Sequence, residues 1–226
     1  MQGKVVVVTG GFGVLGRAVA EAAAAKGARA VRVDLAPAPA APLADGADFG
    51  GVDIADAGAA AATVAAIVQR LGGIDVLVNV AGGFVWQTVQ DGGADTWERM
   101  FRLNVTTTVT ITTAALPKLL TRPGARIINI GAGAAAKAAA GMGAYAAAKS
   151  GVARLTESLA EELAAHDITV NAVLPSIIDT PTNRADMPNA DTSTWVKPEA
   201  LAEVILFLAS PAARAVNGAL IPVTRG

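Results

Sequence analysis

Tyr145 and Lys149 are four residues apart in an alanine-rich segment that predicts a helix over 143–165. At this spacing both side chains lie on one face of a helix. A lysine ammonium beside a phenol stabilises the phenolate, so we expect it to lower the pKa of Tyr145 toward working pH. The pair predicts a general acid, Tyr145, supported by Lys149. The alternative is an exposed helix pair without a chemical role.

A glycine-rich turn follows the first apolar run of the chain. The run Val5 to Val8 leads through this turn into a predicted helix, and Gly11, Gly13 and Gly16 satisfy the pattern G-x-G-x-x-G. Such glycines let a pyrophosphate approach the helix N-terminus, where free N–H groups favour an anion. The turn predicts a dinucleotide site, and a merely tight turn is the alternative. The predicted contacts are Gly10, Gly11, Gly13, Val14, Leu15 and Gly16.

Asp34 ends the next predicted strand, eighteen residues after Gly16. A carboxylate there can accept hydrogen bonds from the adenosine ribose hydroxyls and would repel a 2′-phosphate. We therefore expect NAD(H) in preference to NADP(H). Arg17 and Arg32 are close enough in sequence that NADP(H) is not excluded, and Asp34 could instead be an ordinary strand-end carboxylate.

Short β-branched runs alternate with longer alanine-rich segments along the whole chain, which predicts a single α/β domain, 1–226, with a doubly wound parallel sheet of the Rossmann type. A weak strand is expected before Asp53, and 36–42 is expected to be a surface loop. The other predicted strands are Lys4–Thr9, Arg29–Asp34, Ile74–Asn79, Ala125–Ile130, Ile168–Leu174 and Ala219–Val223. The predicted helices are 14–27, 57–71, 95–120, 143–165 and 198–209.

Composition excludes several classes of function. Eighteen basic and nineteen acidic residues give a net charge of −1, which offers no footprint for nucleic acid or an anionic membrane. With no cysteine, thiolate chemistry is excluded, and the single histidine, His166, is expected to be a surface residue and not a metal ligand. No signal peptide or membrane-spanning run is visible, so we expect a cytoplasmic protein.

These motifs, in this order, resemble the short-chain dehydrogenase/reductase family over nearly the whole chain. Asp53-Ile54 resembles its adenine-contacting pair, Asn79 to Gly82 its Asn-Asn-Ala-Gly segment, and Pro175 to Thr180 its Pro-Gly-x-x-x-Thr segment. Asn104 matches the asparagine that helps to hold a proton-relay water. The resemblance implies that the cofactor is contacted by Asp53, Ile54, Asn79, Ala81, Gly82, Tyr145, Lys149, Pro175, Ile178 and Thr180.

Ala132 departs from this family pattern, which has a catalytic serine thirteen residues before the tyrosine. Alanine cannot donate a hydrogen bond to a ketone oxygen, and losing one such donor costs about 10²–10³ in rate. Two interpretations remain open: a degenerate NAD-binding protein, or an enzyme whose substrate does not need that donor. Ser150 follows Lys149 off the catalytic face and is not expected to substitute.

The chain resembles most closely the dihydropteridine reductase branch of the family, in which alanine replaces this serine. The resemblance lies in Val80 to Phe84, in Gly141-Met142 and in the run from Leu174 to Trp195. It implies hydride transfer from NADH to a quinonoid dihydropterin, with Tyr145 as the proton donor. Because Asn104 keeps the pattern of carbonyl-reducing members, reduction of another carbonyl or imine compound is the alternative.

Several residues are expected to contact this small-molecule substrate. Phe84 and Trp86 could line a slot for a flat ring, although loop aromatics are as often core cover. Segment 176–197 is a candidate lid or an ordered surface loop. The expected substrate contacts are Phe84, Trp86, Ala132, Met187 and Trp195. From the family's helix interface, a homodimer or homotetramer is expected.

Overall fold

Seven parallel strands form one sheet in the order β3-β2-β1-β4-β5-β6-β7, in a computed structural model that describes residues 1–225. The strands are β1 Val5–Thr9, β2 Arg29–Val33, β3 Ala47–Phe49, β4 Val76–Asn79, β5 Ala125–Ile130, β6 Ile168–Pro175 and β7 Leu220–Val223. The chain folds as an α/β Rossmann-type domain, as the alternation of apolar runs predicted. The weak strand before Asp53 is β3, and the segment 36–42 is an exposed loop.

Helices cover both faces of the sheet because its strands are apolar on both sides. They are α1 Val14–Ala25, α2 Ala57–Leu71, α3 Val89–Phe101, α4 Thr107–Leu119, α5 Gly143–Glu162, α6 Pro181–Asp186 and α7 Pro198–Leu208. Alternate residues of β1 point to opposite layers. Val6 packs in the layer that contains Ile205 of α7, and Val7 packs in the layer that contains Ile67 of α2.

The predicted helix 95–120 is wrong in its start and its continuity. The α-helix begins at Val89, where the Thr88 side chain accepts a hydrogen bond from the Asp91 N–H. Gly93 has a φ of 55°, outside the helical range. A π-helical turn, Arg102–Thr106, then separates α3 from α4. Such a turn holds an extra residue in the helix and often lies at a functional site.

The parallel arrangement brings the carboxyl ends of the strands to one edge of the sheet, so the loops after β1, β4, β5 and β6 meet there. In open α/β sheets, ligands bind at this edge.

Among residues 1–225, no helix is both long enough and apolar enough to cross a membrane.

Candidate active site

The glycine turn after β1 is packed so closely that Gly10 and Gly16, like Gly11, have no room for a side chain. Gly10 has a φ of +62°, and a Cβ on it would lie 2.9 Å from the backbone of Ala81. A Cβ on Gly16 would lie 2.1 Å from the Gly10 carbonyl oxygen. These two glycines therefore allow the turn to pack against the loop after β4 and against α1.

Gly13 differs, because the protein's own packing does not require it to be glycine. It caps the N-terminus of α1, and a Cβ there would meet only the Gly10 oxygen, at 3.4 Å. The residue is exposed, so the space that a Cβ would fill lies open beside the first turn of the helix. We call this open space beside Gly13 the glycine cradle. A pyrophosphate fits it, because the free N–H groups and the dipole of α1 favour an anion there.

Asp34 lies beside this turn. Its Oδ2 accepts a hydrogen bond from the Phe12 N–H at 2.9 Å, and its Oδ1 accepts one from the Ala36 N–H at 3.0 Å. Each oxygen keeps a further lone pair for a ribose hydroxyl. The guanidinium of Arg32 is not free to contact a ligand beside Asp34, because it forms a buried ion pair with Asp48. Arg17 is exposed on α1. The hydrogen bond of Asp48 raises the pKa of Arg32 above its usual value, so this side chain stays a cation.

Asp53 contacts a residue that the sequence did not single out. Its Oδ2 accepts a hydrogen bond from Arg102 Nη2 at 2.7 Å, and its Oδ1 accepts one from the Ala55 N–H at 2.9 Å. The ion pair joins the loop after β3 to the π-helical turn at the surface. Ile54, by contrast, packs into the core.

The Asn79 side chain lies inside the protein. Its Nδ2 donates to Thr112 Oγ1 at 3.1 Å and to Asn129 Oδ1 at 2.9 Å, and the residue is only 3% exposed. The loop that follows is held by Thr9, whose Oγ1 accepts hydrogen bonds from the N–H groups of Val80 and Ala81, both at 3.1 Å. Sequence reasoning missed Thr9, since only the parallel pairing of β1 with β4 reveals this contact.

Tyr145 and Lys149 share one face of α5, as predicted, and Lys149 Nζ lies 5.9 Å from the centre of the tyrosine ring. The expected pKa direction was wrong. Burial raises the pKa of Tyr145 to about 12 and lowers the pKa of Lys149 to about 8. The physical reason is desolvation, because burial removes water from the phenolate of Tyr145 and from the ammonium of Lys149. The Lys149 ammonium donates a hydrogen bond to the Ile130 carbonyl oxygen at 2.7 Å.

Asn104 lies in the π-helical turn and is 1% exposed. Its Nδ2 donates to the carbonyl oxygens of Gly83 and Met100, both at 3.0 Å, and its Oδ1 accepts from the Gly83 N–H at 3.3 Å. A Cβ on Gly82 would lie 2.6 Å from Asn104 Oδ1 and 3.5 Å from Lys149 Nζ. The structure therefore brings together three predicted site residues, Gly82, Asn104 and Lys149.

Ala132 follows β5 directly and is 6% exposed. It caps a short 3₁₀ turn, Gly133–Ala135, with an extended backbone. Ser150 Oγ donates to the Ala135 carbonyl oxygen at 2.7 Å, so its hydroxyl holds this turn. The loop up to Gly141 carries six further alanines and one lysine, Lys137, and therefore offers no side-chain hydroxyl.

Two aromatic side chains lie at the mouth of the site. Phe84 packs edge to face against Tyr145, with ring centres 4.9 Å apart and planes at 88°. Trp86 covers Gly141, where a Cβ would lie 2.2 Å from the indole ring. The Gln87 N–H also donates to the Gly141 carbonyl oxygen at 2.8 Å. Phe84 is 51% exposed and Trp86 60% exposed, so large parts of both rings face outward.

The chain after β6 leaves the same edge of the sheet. Pro175 ends the strand, and a parallel bridge pairs Ile178 with Val196. Thr180 caps α6, because its hydroxyl accepts a hydrogen bond from the Asn183 N–H at 3.1 Å. Arg184 donates two hydrogen bonds to Asp179, whose pKa falls below its usual value as a result.

Two substrate contacts were expected in segment 176–197. Met187 is half-buried after α6, whereas Trp195 is only 4% exposed. A side chain this deeply buried anchors the segment 176–197 to the body of the protein. In this arrangement the indole is not a surface that a substrate could reach. Across the described residues, 1–225, no group of three or more histidine, cysteine, aspartate or glutamate side chains could hold a metal ion.

Residues 4–191 match the family described as short chain dehydrogenase. A 3-oxoacyl-(acyl-carrier-protein) reductase FabG of Vibrio cholerae is 30% identical, with 100% of this chain and 98% of the relative aligned. A 2-(S)-hydroxypropyl-CoM dehydrogenase 3 of Xanthobacter autotrophicus is 32% identical, with 100% and 97% aligned. A short chain dehydrogenase structure from Burkholderia cenocepacia in complex with NADP is 31% identical, with 100% and 98% covered and a TM-score of 0.89.

The chain belongs to the short-chain dehydrogenase/reductase family and is a nicotinamide-dependent oxidoreductase. The fold, the glycine cradle at α1 and the Tyr145/Lys149 pair agree with this membership. Neither the dihydropteridine branch nor a preference for NAD follows from these relatives, because they are named for other substrates and one neighbour holds NADP.

Proposed function

We propose that the protein is an NADH-dependent reductase of a flat, conjugated substrate of the quinonoid dihydropteridine type, with Tyr145 as proton donor. The observation that carries this proposal is Ala132, a buried methyl group at the end of β5 where the family has a serine. A ketone needs a donor there to polarise its carbonyl group. A quinonoid dihydropterin is already a polarised electrophile, so it reacts without that donor.

The aromatic residues at the mouth support the same substrate class. The exposed ring surface of Phe84 lies directly beside Tyr145 and offers an apolar wall to a planar ring. Trp86 extends that wall over Gly141. The alanine-rich loop after Ala132 adds no charged side chain other than Lys137. Such a wall favours flat ligands, since stacking and apolar burial supply the binding energy.

When bound, the nicotinamide supplies the hydride, and the residues of this chain position the substrate and move the proton. With its pKa near 12, Tyr145 carries its proton at neutral pH and can donate it to the reduced substrate. Lys149 retains enough positive charge below a pKa of about 8 to stabilise the phenolate that this transfer leaves. Asn104 fixes the loop Gly82-Gly83 beside this pair.

We also propose that the cofactor is NAD(H). Asp34 supports this preference, because its carboxylate is fixed by two backbone N–H groups next to the glycine turn. A 2′-phosphate at this position would meet a negative charge. The remaining cofactor contacts that we propose are those inferred from the sequence at Asp53 and Ile54, in the loop from Asn79 to Gly82 and at Pro175, Ile178 and Thr180, together with Lys149.

A second candidate function is the reduction of another carbonyl or imine compound. Asn104 in the π-helical turn favours it, since this asparagine is the pattern of carbonyl-reducing members. The relatives named as a 3-oxoacyl reductase and a hydroxypropyl dehydrogenase also act on carbonyl or alcohol groups. Under this alternative, the missing donor at Ala132 would limit the rate.

Restoring the serine distinguishes the two candidates. We expect Ala132→Ser to raise kcat/KM for simple ketones by about 10–10²-fold, because a hydroxyl then reaches the substrate oxygen. Turnover of freshly generated quinonoid dihydropterin should stay within about threefold of the wild type. Ala134→Ser, two residues further along the loop, is the matched control and should change neither rate. An equal gain for the pterin would show that this substrate also lacks a donor and would remove the argument from Ala132.

We further propose that the protein is a homodimer joined through α3 and α5. A groove of about 470 Å³ runs between these helices. The bulky exposed side chains of Trp97 and Phe101 lie beside the small side chain of Ala147. A second copy related by a twofold axis can therefore pack its two aromatic side chains against the alanines of this groove. The groove is lined by Trp97, Glu98, Phe101, Arg102, Thr106, Ala144, Ala147 and Ala148.

Light scattering on two single variants tests this interface. Phe101→Glu should weaken the dimer by at least about 100-fold, because a charge would be buried at the contact. The folded monomer should survive, since Phe101 is 53% exposed in it. Phe207→Glu is the control, because Phe207 is 51% exposed on α7, away from the groove. If only Phe207→Glu dissociated the dimer, the interface would lie at α7 and the proposed interface at α3 and α5 would be wrong.

A further inference from the structure

Arg32 is a buried cation close to the adenosine end of the proposed cofactor site. It lies in β2, two residues before Asp34, which directly follows the end of this strand. A Cβ on Gly11 would lie 2.5 Å from the Arg32 Cβ, so the side chain passes directly beneath the glycine turn. Its guanidinium lies 5.5 Å from the centre of the Phe12 ring. The Phe12 N–H in turn donates to Asp34.

Asp48 is the charged partner of this cation, and Arg32 Nη2 also donates a longer hydrogen bond to the Ala41 carbonyl oxygen at 3.4 Å. Arg32 Nε donates to Asp48 Oδ1 and Arg32 Nη2 donates to Asp48 Oδ2, both at 2.7 Å. The two side chains are 4% and 6% exposed, so water competes little for the contact. Arg32 and Asp48 are register partners on β2 and β3, which fixes the carboxylate opposite the guanidinium. Two parallel, charge-assisted hydrogen bonds of this kind are strong and directional.

We infer that Asp48 is a cofactor-specificity residue: by holding Arg32 on β3, it keeps from the cofactor a cation that would otherwise pair with the 2′-phosphate of NADPH. This inference rests on the proposed NADH preference and deepens it. Asp34 repels the 2′-phosphate, and Asp48 pairs with the guanidinium of Arg32, which could otherwise offset this repulsion. The strand β3 is three residues long and forms one edge of the sheet. Its register against β2 places Asp48 opposite Arg32 and thereby contributes to the cofactor preference.

The test is the ratio of the dissociation constants for NADPH and NADH, measured by calorimetry on the intact protein. The wild-type ratio alone tests the NADH preference, which requires a value above one. Asp48→Asn keeps the side-chain shape but removes the charge that holds Arg32. We expect the NADPH/NADH ratio to fall by at least about tenfold in this variant, because a freed guanidinium can form charged hydrogen bonds with the phosphate.

Two further variants keep the result interpretable. Asp45→Asn removes the same charge from an exposed part of the same connection, where a φ of 54° suits asparagine, and should leave the ratio unchanged. The double variant Arg32→Met/Asp48→Asn removes the ion pair as a whole and should return the ratio to within about twofold of the wild type.

An unchanged ratio in Asp48→Asn, or an equal fall in Asp45→Asn, would overturn the inference. If Asp48→Asn does not fold, the double variant still decides. NADPH affinity lost relative to NADH in that variant would mean that Arg32 already contacts the phosphate in the wild type, which contradicts the inference. A ratio equal to that of the wild type would support it.

Discussion

Tyr145→Phe should lower kcat by about 10²–10⁴-fold, the range expected when a general acid is removed. The dissociation constant for NADH should stay within about twofold, because phenylalanine keeps the ring that packs against Phe84 and loses only the hydroxyl group. Stopped-flow turnover together with NADH titration measures both quantities. Unchanged turnover would exclude Tyr145 as the proton donor.

Lys149→Met provides the contrast to this variant. In the proposed function Lys149 stabilises the phenolate, and the family resemblance implies that it also contacts the nicotinamide ribose. We therefore expect its loss to weaken NADH binding as well as turnover, whereas Tyr145→Phe affects turnover alone. If both variants changed NADH affinity equally, the separation of roles between the two side chains would be wrong.

Gly16→Ala should unfold the glycine turn and destabilise the whole domain. The added Cβ would lie 2.1 Å from the Gly10 carbonyl oxygen and 2.8 Å from Gly11 Cα, and backbone atoms cannot turn away as a flexible side chain could. We expect a loss of about 3 kcal/mol in the free energy of unfolding, at the upper end of overpacking effects. For a domain of this size that corresponds to a fall in Tm of about 6–12 °C.

Gly13→Ala is the matched variant three residues away. Its φ of −71° and ψ of 171° suit alanine, and its Cβ would lie at an ordinary 3.4 Å from the nearest atom. We expect the free energy of unfolding to change by less than about 0.5 kcal/mol. NADH affinity should nevertheless fall by about tenfold or more, since the methyl group occupies the approach of the pyrophosphate. Stable protein with unchanged NADH affinity would show that the cradle at Gly13 is not the phosphate site.

The sheet and most of the helices could be predicted from the sequence, because continuous β-branched runs and alanine-rich segments carry strong local signals. The break in the predicted helix 95–120 could not. A π-helical turn at Arg102–Thr106 has no distinct local sequence pattern, and Gly93 alone does not show where a helix is interrupted. Its position depends on packing against α5 and the loop after β4.

At the candidate site, the sequence predicted which side chains lie near one another better than it predicted their pKa values. The spacing of Tyr145 and Lys149 predicted that the two side chains share one face of α5, but the direction of the tyrosine pKa depends on burial that only the folded chain creates. Thr9 and Arg102 were missed because their partners, the N–H of Ala81 and the carboxylate of Asp53, are distant in sequence. Trp195 was expected to contact the substrate, yet its side chain is only 4% exposed.

The most direct test of the proposed function is NADH oxidation at about 340 nm with freshly generated quinonoid dihydropterin, beside a panel of simple ketones and with NADPH as the second cofactor. We expect kcat/KM for the pterin with NADH to exceed that for every ketone by at least about 10²-fold, because Ala132 leaves a carbonyl oxygen without a donor. Faster turnover of a ketone, or binding of NADH without turnover of any substrate, would contradict the account.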